Sequence, residues 1–234
     1  MTQKMRSLLV GFAAIVILAG CSSENQKETP LRDVFAGSLK EAVGDRNAEL
    51  RPVVTVTPKM LAETKIAALQ VNPEKAGGSD FLRRVAQRRD SVPGVVEIWS
   101  SSDRAQVFLR GGVLVGTRGV GTDIISSNAG ATVNAIARRG SGAGQRSYVV
   151  SNGDNSTTEI VLNCQIDNLG TEEIIIVNQS FTTSHLRETC TGGPTGDTNI
   201  INQYWVQNSS GLVKKSRQWA GPASGYFELI LLKN

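Results

Sequence analysis

The 234-residue chain offers few side chains that could do acid–base or metal chemistry. It contains one histidine, His185, and three cysteines. Transition-metal sites need several imidazole or thiolate ligands that converge on one point. A lone histidine is more often a packed or surface residue than a general base. We therefore expect a protein that holds no metal and no cofactor and that is not an enzyme.

The acidic and glycine-rich motifs favour the same interpretation. Glu172 and Glu173 are adjacent in the sequence, and adjacent residues on a strand point to opposite faces, so they cannot flank one bond. Residues 116–121 and 139–145 are rich in glycine. Neither segment has the lysine of a phosphate-binding loop or the strand-to-helix spacing of a dinucleotide-binding motif. Both segments are predicted to be turns or loops.

The first cysteine, Cys21, ends a pattern typical of exported lipoproteins. Lys4 and Arg6 precede an apolar run over residues 8–18, and Ala19-Gly20-Cys21 follows. A helix of about 11 residues spans roughly 16 Å, which is too short for a bilayer core of about 30 Å. Residues 18–21 resemble the bacterial lipobox. We expect residues 1–20 to be removed as a signal peptide and Cys21 to carry the acyl chains that bind the membrane.

The residues after Cys21 indicate where the mature chain resides. Ser22 and Ser23 follow, without the aspartate that retains lipoproteins in the inner membrane of enteric bacteria. We expect an outer-membrane anchor with the folded domain in the periplasm. Removal of residues 1–20 takes away two of the 25 basic residues and none of the 21 acidic ones, so the formal charge falls from +4 to +2. This near-neutral charge argues against nucleic acid as a partner.

Two cysteines remain after acylation. Cys164 and Cys190 form an even pair in a chain exported to an oxidising compartment, so we predict a disulfide between them.

The elements that must position these residues are mainly β-strands. Residues 21–30 are polar and are predicted to be a flexible tether, and residues 31–49 have apolar positions near helical spacing. The chain then changes to short runs rich in Val, Ile, Thr and aromatic residues, separated by turn signals at 101–103, 110–112, 152–154, 168–170 and 208–211. We predict strands at residues 53–57, 67–71, 95–100, 105–109, 112–117, 146–151, 158–167, 172–181, 204–207, 212–219 and 225–232.

This succession of about ten strands with tight connections predicts a mainly β fold over residues 31–234. The domain is expected to be an antiparallel β-sandwich or a barrel-like structure, with a short N-terminal helix. Residues 122–137 are compatible with either a helix or a loop.

Four segments of the chain resemble one known family. They are residues 112–123, 185–190, 202–206 and 215–227, and together with the lipobox they are similar to the YjbF/GfcB family of exopolysaccharide and group 4 capsule lipoproteins. The resemblance implies a β-rich periplasmic protein, anchored to the outer membrane, that assists assembly or export of a surface polysaccharide without an established catalytic activity. Expected partners are the membrane, through the lipid, and a polysaccharide or polysaccharide-export protein.

Five residues in these segments form the candidate site, namely Arg118, Asp123, Arg217, Gln218 and Trp219. In one interpretation they line a cleft in which Trp219 stacks on a sugar ring while the polar groups bind hydroxyls or carboxylates. In the other they form a buried polar network, with Trp219 in the core.

Two other functions remain open at this level. A glycan hydrolase or lyase would need two facing carboxylates about 5–10 Å apart, or a carboxylate with Arg and Tyr. A structural envelope lipoprotein would need no ligand.

Overall fold

The computed structural model describes residues 55–234. The signal peptide, Cys21, the tether and the helix predicted over residues 31–49 lie outside the described residues. Within the described part of the chain, no helix is both long enough and apolar enough to cross a membrane.

Two helices and twelve strands make up the described domain. The helices are α1 (Pro58–Glu63) and α2 (Gly130–Arg138), and the strands are β1 (Ala68–Pro73), β2 (Asp80–Arg88), β3 (Val96–Ser100), β4 (Gln106–Arg110), β5 (Val113–Arg118), β6 (Ile124–Asn128), β7 (Gly142–Ser151), β8 (Thr157–Ile176), β9 (Gln179–Gly192), β10 (Thr198–Gln207), β11 (Val213–Trp219) and β12 (Tyr226–Lys233).

All twelve strands belong to one antiparallel sheet that curls into a nearly closed barrel. The strand order is β5-β4-β3-β2-β1-β12-β11-β10-β9-β8-β7-β6. The first and last strands of the chain, β1 and β12, are therefore neighbours within the sheet. The two edge strands, β5 and β6, are consecutive in the chain, and the backbone N–H of Ile124 in β6 donates to the Thr117 hydroxyl of β5 over 2.9 Å. The predicted mainly β, barrel-like fold is confirmed.

Alternation along strands such as β7, β10 and β11 divides buried positions from more exposed ones. In β10, for example, Ile200, Asn202, Tyr204 and Val206 are buried, whereas the residues between them are partly or fully exposed. The same period places Trp99, Tyr148 and Phe227 in the core, and each of these large side chains is fully buried. Each wall of the barrel therefore presents one set of side chains to the core and another to solvent.

Helix α2 packs against the inner face of β7 because two glycines there lack side chains. A Cβ atom on Gly144 would lie 2.7 Å from the Cβ of Ala131 in α2, and one on Gly142 would lie 3.6 Å from the Cβ of Ala135. The prediction of a turn or loop over residues 139–145 is therefore wrong from Gly142 onward, since these glycines form a strand that the helix approaches closely.

Strands β8 and β9 form a long hairpin whose position differs from the sequence prediction. The turn signal at residues 168–170 is a bulge within β8, where the pairing register shifts and the Asn168 side chain accepts a hydrogen bond from Gly170 N–H over 2.7 Å. The hairpin turn lies at Val177 and Asn178, which have φ angles of 49° and 62°. Near this turn, Ile174 and Ile176 pack with Leu232 in an apolar cluster that is separate from the main core.

The structure differs from the predicted strands at three further places. The described residues of the segment 53–57 are not a strand, since the Thr57 hydroxyl accepts a hydrogen bond from Met60 N–H and caps α1. Strands β2 and β6 were not predicted. In β2 the charged and polar residues that follow Leu82 obscure the alternation, and in β6 only Ile124 is buried.

The predicted disulfide between Cys164 and Cys190 is present and joins paired positions of β8 and β9. In the chain-entropy model, a cross-link that closes a loop of this length stabilises the fold by about 3 kcal/mol. We expect the Cys164→Ala/Cys190→Ala variant to lose about that much unfolding free energy in urea denaturation. An unchanged midpoint, or two free thiols in the unfolded oxidised wild-type chain, would contradict this.

Candidate functional site

The five residues predicted as a site are divided among three places. Asp123 organises the turn after β5, since its carboxylate accepts hydrogen bonds from Gly119 N–H over 2.8 Å, Val120 N–H over 3.1 Å and the Thr117 hydroxyl over 3.2 Å. Arg118 ends β5 and is exposed. The carboxylate of Asp123 therefore shapes a loop, and Arg118 lies on the surface beside it.

Gln218 and Trp219 belong to the barrel's interior framework. Fully buried Gln218 accepts a hydrogen bond from Leu114 N–H over 2.8 Å and donates to the Gly112 carbonyl over 2.8 Å, which ties β11 to the start of β5. The Trp219 ring packs edge-on against buried Tyr148, with ring centroids 4.9 Å apart. For these two residues the arrangement matches the network interpretation, because the amide is satisfied and the indole packs on the core.

Arg217 points away from that network. Its guanidinium forms two hydrogen bonds with the Glu74 carboxylate, at 2.6 and 2.7 Å, and lies 3.7 Å from the ring centroid of Tyr226. Adjacent strand residues face opposite sides of a sheet, so Arg217 lies on the outer wall while Gln218 lies inside.

The barrel interior contains a polar centre that the sequence analysis did not predict. Arg146 of β7 and Glu188 of β9 form an ion pair at 2.5 Å, and their side chains are 1% and 0% exposed. Glu188 also accepts hydrogen bonds from Asn202 over 2.7 Å, from Tyr204 over 3.1 Å and from the hydroxyl of Thr132 in α2.

Arg146 connects this centre to a further strand. One guanidinium nitrogen donates to the Leu114 carbonyl of β5 over 3.0 Å. Burial alone would lower the pKa of Arg146, but the charge of Glu188 and the neighbouring Tyr148 and Tyr204 together outweigh it, and the pKa is raised. Burial raises the pKa of Tyr204, so its phenol stays protonated and donates a hydrogen bond to Glu188. The centre thus links α2 with β5, β7, β9 and β10.

The same region contains one group of possible metal ligands among residues 55–234. The ligand atoms of Cys164, Glu188 and Cys190 lie within 4.8 Å of one another. The two sulfurs are joined in the disulfide, and Glu188 is already bound by the donors described above. This set therefore does not fit a metal ion, which needs free thiolates or carboxylates.

A second polar cluster lies on the outer wall, and we call it the outer stripe. It runs across β9, β10, β11 and β12 with contributions from neighbouring segments, and it consists of Asn72, Glu74, Glu172, His185, Gln203, Trp205, Lys215, Arg217, Tyr226 and Glu228.

His185 is fixed at one end of the outer stripe. Its Nδ1 lies 2.8 Å from Glu172 Oε2, its Nε2 lies 3.0 Å from Gln203 Oε1, and its ring stacks on Trp205 at 4.5 Å. The indole N–H of Trp205 also donates to Glu172 over 2.9 Å. Both imidazole nitrogens are engaged, so neither is free to take a proton from a substrate.

The stripe continues through Lys215 towards β1. The Lys215 ammonium lies 5.2 Å from the centroid of Trp205 and 2.8 Å from Glu228, which also accepts a hydrogen bond from Asn72 over 2.8 Å. Burial would raise the pKa of Glu228, but the hydrogen bonds from Lys215 and Asn72 outweigh it and lower the pKa. Glu228 is therefore ionised near neutral pH and holds Lys215 over the indole.

The sequence contained a signal for this stripe. Gln203 and Trp205 in β10, and Lys215 and Arg217 in β11, are spaced two residues apart, which places each pair on one face. Their grouping across strands follows from register, in which Trp205 pairs with both His185 and Lys215.

The comparisons with known proteins identify the family. Residues 29–232 match the model of the family described as "Group 4 capsule polysaccharide lipoprotein gfcB, YjbF", so the chain belongs to this family of capsule-associated lipoproteins. No curated protein matches the chain.

Among solved structures, the fold is similar to that of the hypothetical lipoprotein YmcC from Escherichia coli (K12). The two chains share 20% sequence identity with a TM-score of 0.65, and the match covers 77% of this chain and 90% of the other. At this identity the likeness concerns the fold.

Two arginines, one in the buried centre and one on the surface, are expected to differ in how much they stabilise the fold. Arg146→Met leaves the Glu188 carboxylate unpaired in the interior, so we expect a loss of about 3–5 kcal/mol of unfolding free energy. Arg187→Met is the control, since Arg187 is 46% exposed and lies 4.0 Å from Asp167, and a loss of at most about 1 kcal/mol is expected. Urea denaturation measures both, and equal losses would contradict the assignment.

Proposed function

We propose that this protein is an outer-membrane-anchored periplasmic lipoprotein that assists assembly or export of a capsule or exopolysaccharide by binding the glycan, without catalysing a reaction. The outer stripe carries the proposal. It is a continuous surface of planar polar and aromatic side chains, and membership of the capsule lipoprotein family supplies the class of ligand.

The composition of the stripe suits a polyhydroxylated ligand. Sugar hydroxyls both donate and accept hydrogen bonds, and the stripe alternates guanidinium, ammonium, amide and carboxylate groups. Neighbouring strands lie about 4.8 Å apart, so a surface from β9 to β1 is roughly 19 Å wide. That width favours an extended polymer over a single sugar.

Hydrogen bonding, more than ring stacking, would carry the recognition. The face of Trp205 is covered by His185 at 4.5 Å, and Arg217 lies over Tyr226 at 3.7 Å. Trp219, the residue expected to stack on a sugar, packs on Tyr148 instead. Arg217 and Lys215 are the exposed donors, with side chains 32% and 33% exposed. Two of the five N–H groups of Arg217 bind Glu74, and those that remain can donate to a sugar hydroxyl or carboxylate.

The non-catalytic part of the proposal rests on burial. Glu188, Arg146 and Tyr204 are the carboxylate–Arg–Tyr combination expected of a lyase, but all three are sealed in the barrel, where a polymer cannot reach them. The accessible His185 has both ring nitrogens engaged. These features favour binding over hydrolysis or elimination.

Binding of the purified surface polysaccharide of the native host tests the proposal. We expect Arg217→Met and Lys215→Met to weaken binding about tenfold each, as expected for loss of one charge-assisted hydrogen bond. The control is Arg88→Met, which removes an exposed arginine from β2, away from the stripe, and should leave the affinity unchanged. Isothermal titration calorimetry measures the affinities.

Two outcomes would overturn the proposal. In the first, the wild-type protein does not bind the polysaccharide but recovers an export protein in a pull-down, and Arg217→Met abolishes that recovery. The ligand of the outer stripe would then be a protein and not the glycan. Release of new reducing ends or unsaturated sugars from the polysaccharide would establish an enzyme instead.

A further inference from the structure

An apolar cavity of about 360 Å³ opens at one end of the barrel. Its wall is formed by inward-facing residues of several strands and by α2, including Leu69, Leu109, Leu229, Leu231, Val133 and Ile136. Exposed Ala137 and Asn234 stand among the lining residues and mark the mouth. Cavities of this size with predominantly apolar walls, at the mouths of β-barrels, are typical small-molecule sites.

The polar side chains that line the cavity are those of Glu97, Arg110, Ser216 and Asn234. Glu97 lines it and pairs at 2.6 Å with Arg84, which also donates to the Asn234 side chain over 2.7 Å. Arg84 and Glu97 are 24% and 23% exposed, so both reach solvent. A ligand seated here therefore meets hydrocarbon inside the barrel and paired charges at the entrance, which is the environment of an amphiphile.

Trp99 adds an aromatic ring to the wall of the cavity. It lines the cavity, it is fully buried, and its indole N–H has no hydrogen-bond partner among the described residues. It faces the same side of β3 as Glu97, two residues further along and about 7 Å away. The indole therefore contributes apolar wall to the cavity, while its N–H is enclosed by protein atoms.

We propose that the cavity binds the hydrocarbon chain of a single-chain lipid, with the lipid's polar end beside Arg84 and Glu97 at the entrance. The site is separate from the outer stripe. It gives this lipoprotein a second, apolar ligand in addition to the proposed glycan.

Dodecanoic acid below its micelle concentration is the probe. The protein is the full mature chain from residue 21 with Cys21→Ser, so that no covalent acyl group competes for the cavity. We expect saturable binding at one site in isothermal titration calorimetry. Val133→Phe fills the cavity and should abolish binding. Val161→Phe makes the same change at an exposed position of β8 and should leave binding intact.

Two further variants keep the proposal testable. If Val133→Phe does not fold, Ala137→Phe narrows the mouth from an exposed position and should weaken binding at least tenfold. Arg84→Met removes the cation at the entrance that faces the lipid's carboxylate, and a loss of about tenfold is expected.

Absence of binding by the wild-type chain, or equal binding by a folded Val133→Phe or Ala137→Phe variant, would overturn the proposal. Equal binding by Arg84→Met would overturn the placement of the lipid's polar end. Polysaccharide binding should be unchanged in all of these variants, so failure here is distinguishable from failure of the glycan proposal.

Discussion

The ion pair between Arg146 and Glu188 is the constraint around which the barrel is organised. Two charges with almost no solvent exposure are tolerable only when they face each other and hydrogen bonds satisfy the polar groups around them. Glu188 meets this condition with four donors, whereas the Nε–H of Arg146 has no hydrogen-bond partner among the described residues. That requirement fixes β7 against β9, brings Tyr204 of β10 and Thr132 of α2 to the same carboxylate, and holds β5 through the Leu114 carbonyl. An arrangement of strands that separated the pair would leave a buried charge without a partner.

This constraint also separates the two kinds of polar residue. Glu188 and Gln218 point inwards, and their side chains are hydrogen-bonded within the framework. Polar groups that point outwards, such as Arg217, remain partly accessible. The carboxylate, arginine and tyrosine of the buried centre are thus out of reach of a polymer, whereas the polar side chains of the outer stripe are partly accessible to it.

The sequence predicted the antiparallel β fold and the Cys164–Cys190 disulfide, since both depend on local patterns and on compartment. It did not predict the buried pair, because residues 42 positions apart meet only through register. The five residues predicted as a site do not lie together, because their positions also depend on the fold. Arg217 and Gln218, for example, are neighbours in the chain but face opposite sides of β11. The sequence does not decide between a helix and a loop over residues 122–137, because the position of α2 depends on glycines in β7 whose pattern is typical of a loop.

The three tryptophans provide the most direct test, because each reports on a different part of the molecule. Trp205 lies in the outer stripe and donates to Glu172, Trp99 lines the cavity, and Trp219 packs against Tyr148. In an NMR titration of the labelled mature chain with the host's surface polysaccharide, the indole N–H resonance of Trp205 should shift while those of Trp99 and Trp219 stay in place. An unmoved Trp205 resonance at saturating polysaccharide would contradict glycan binding at the outer stripe.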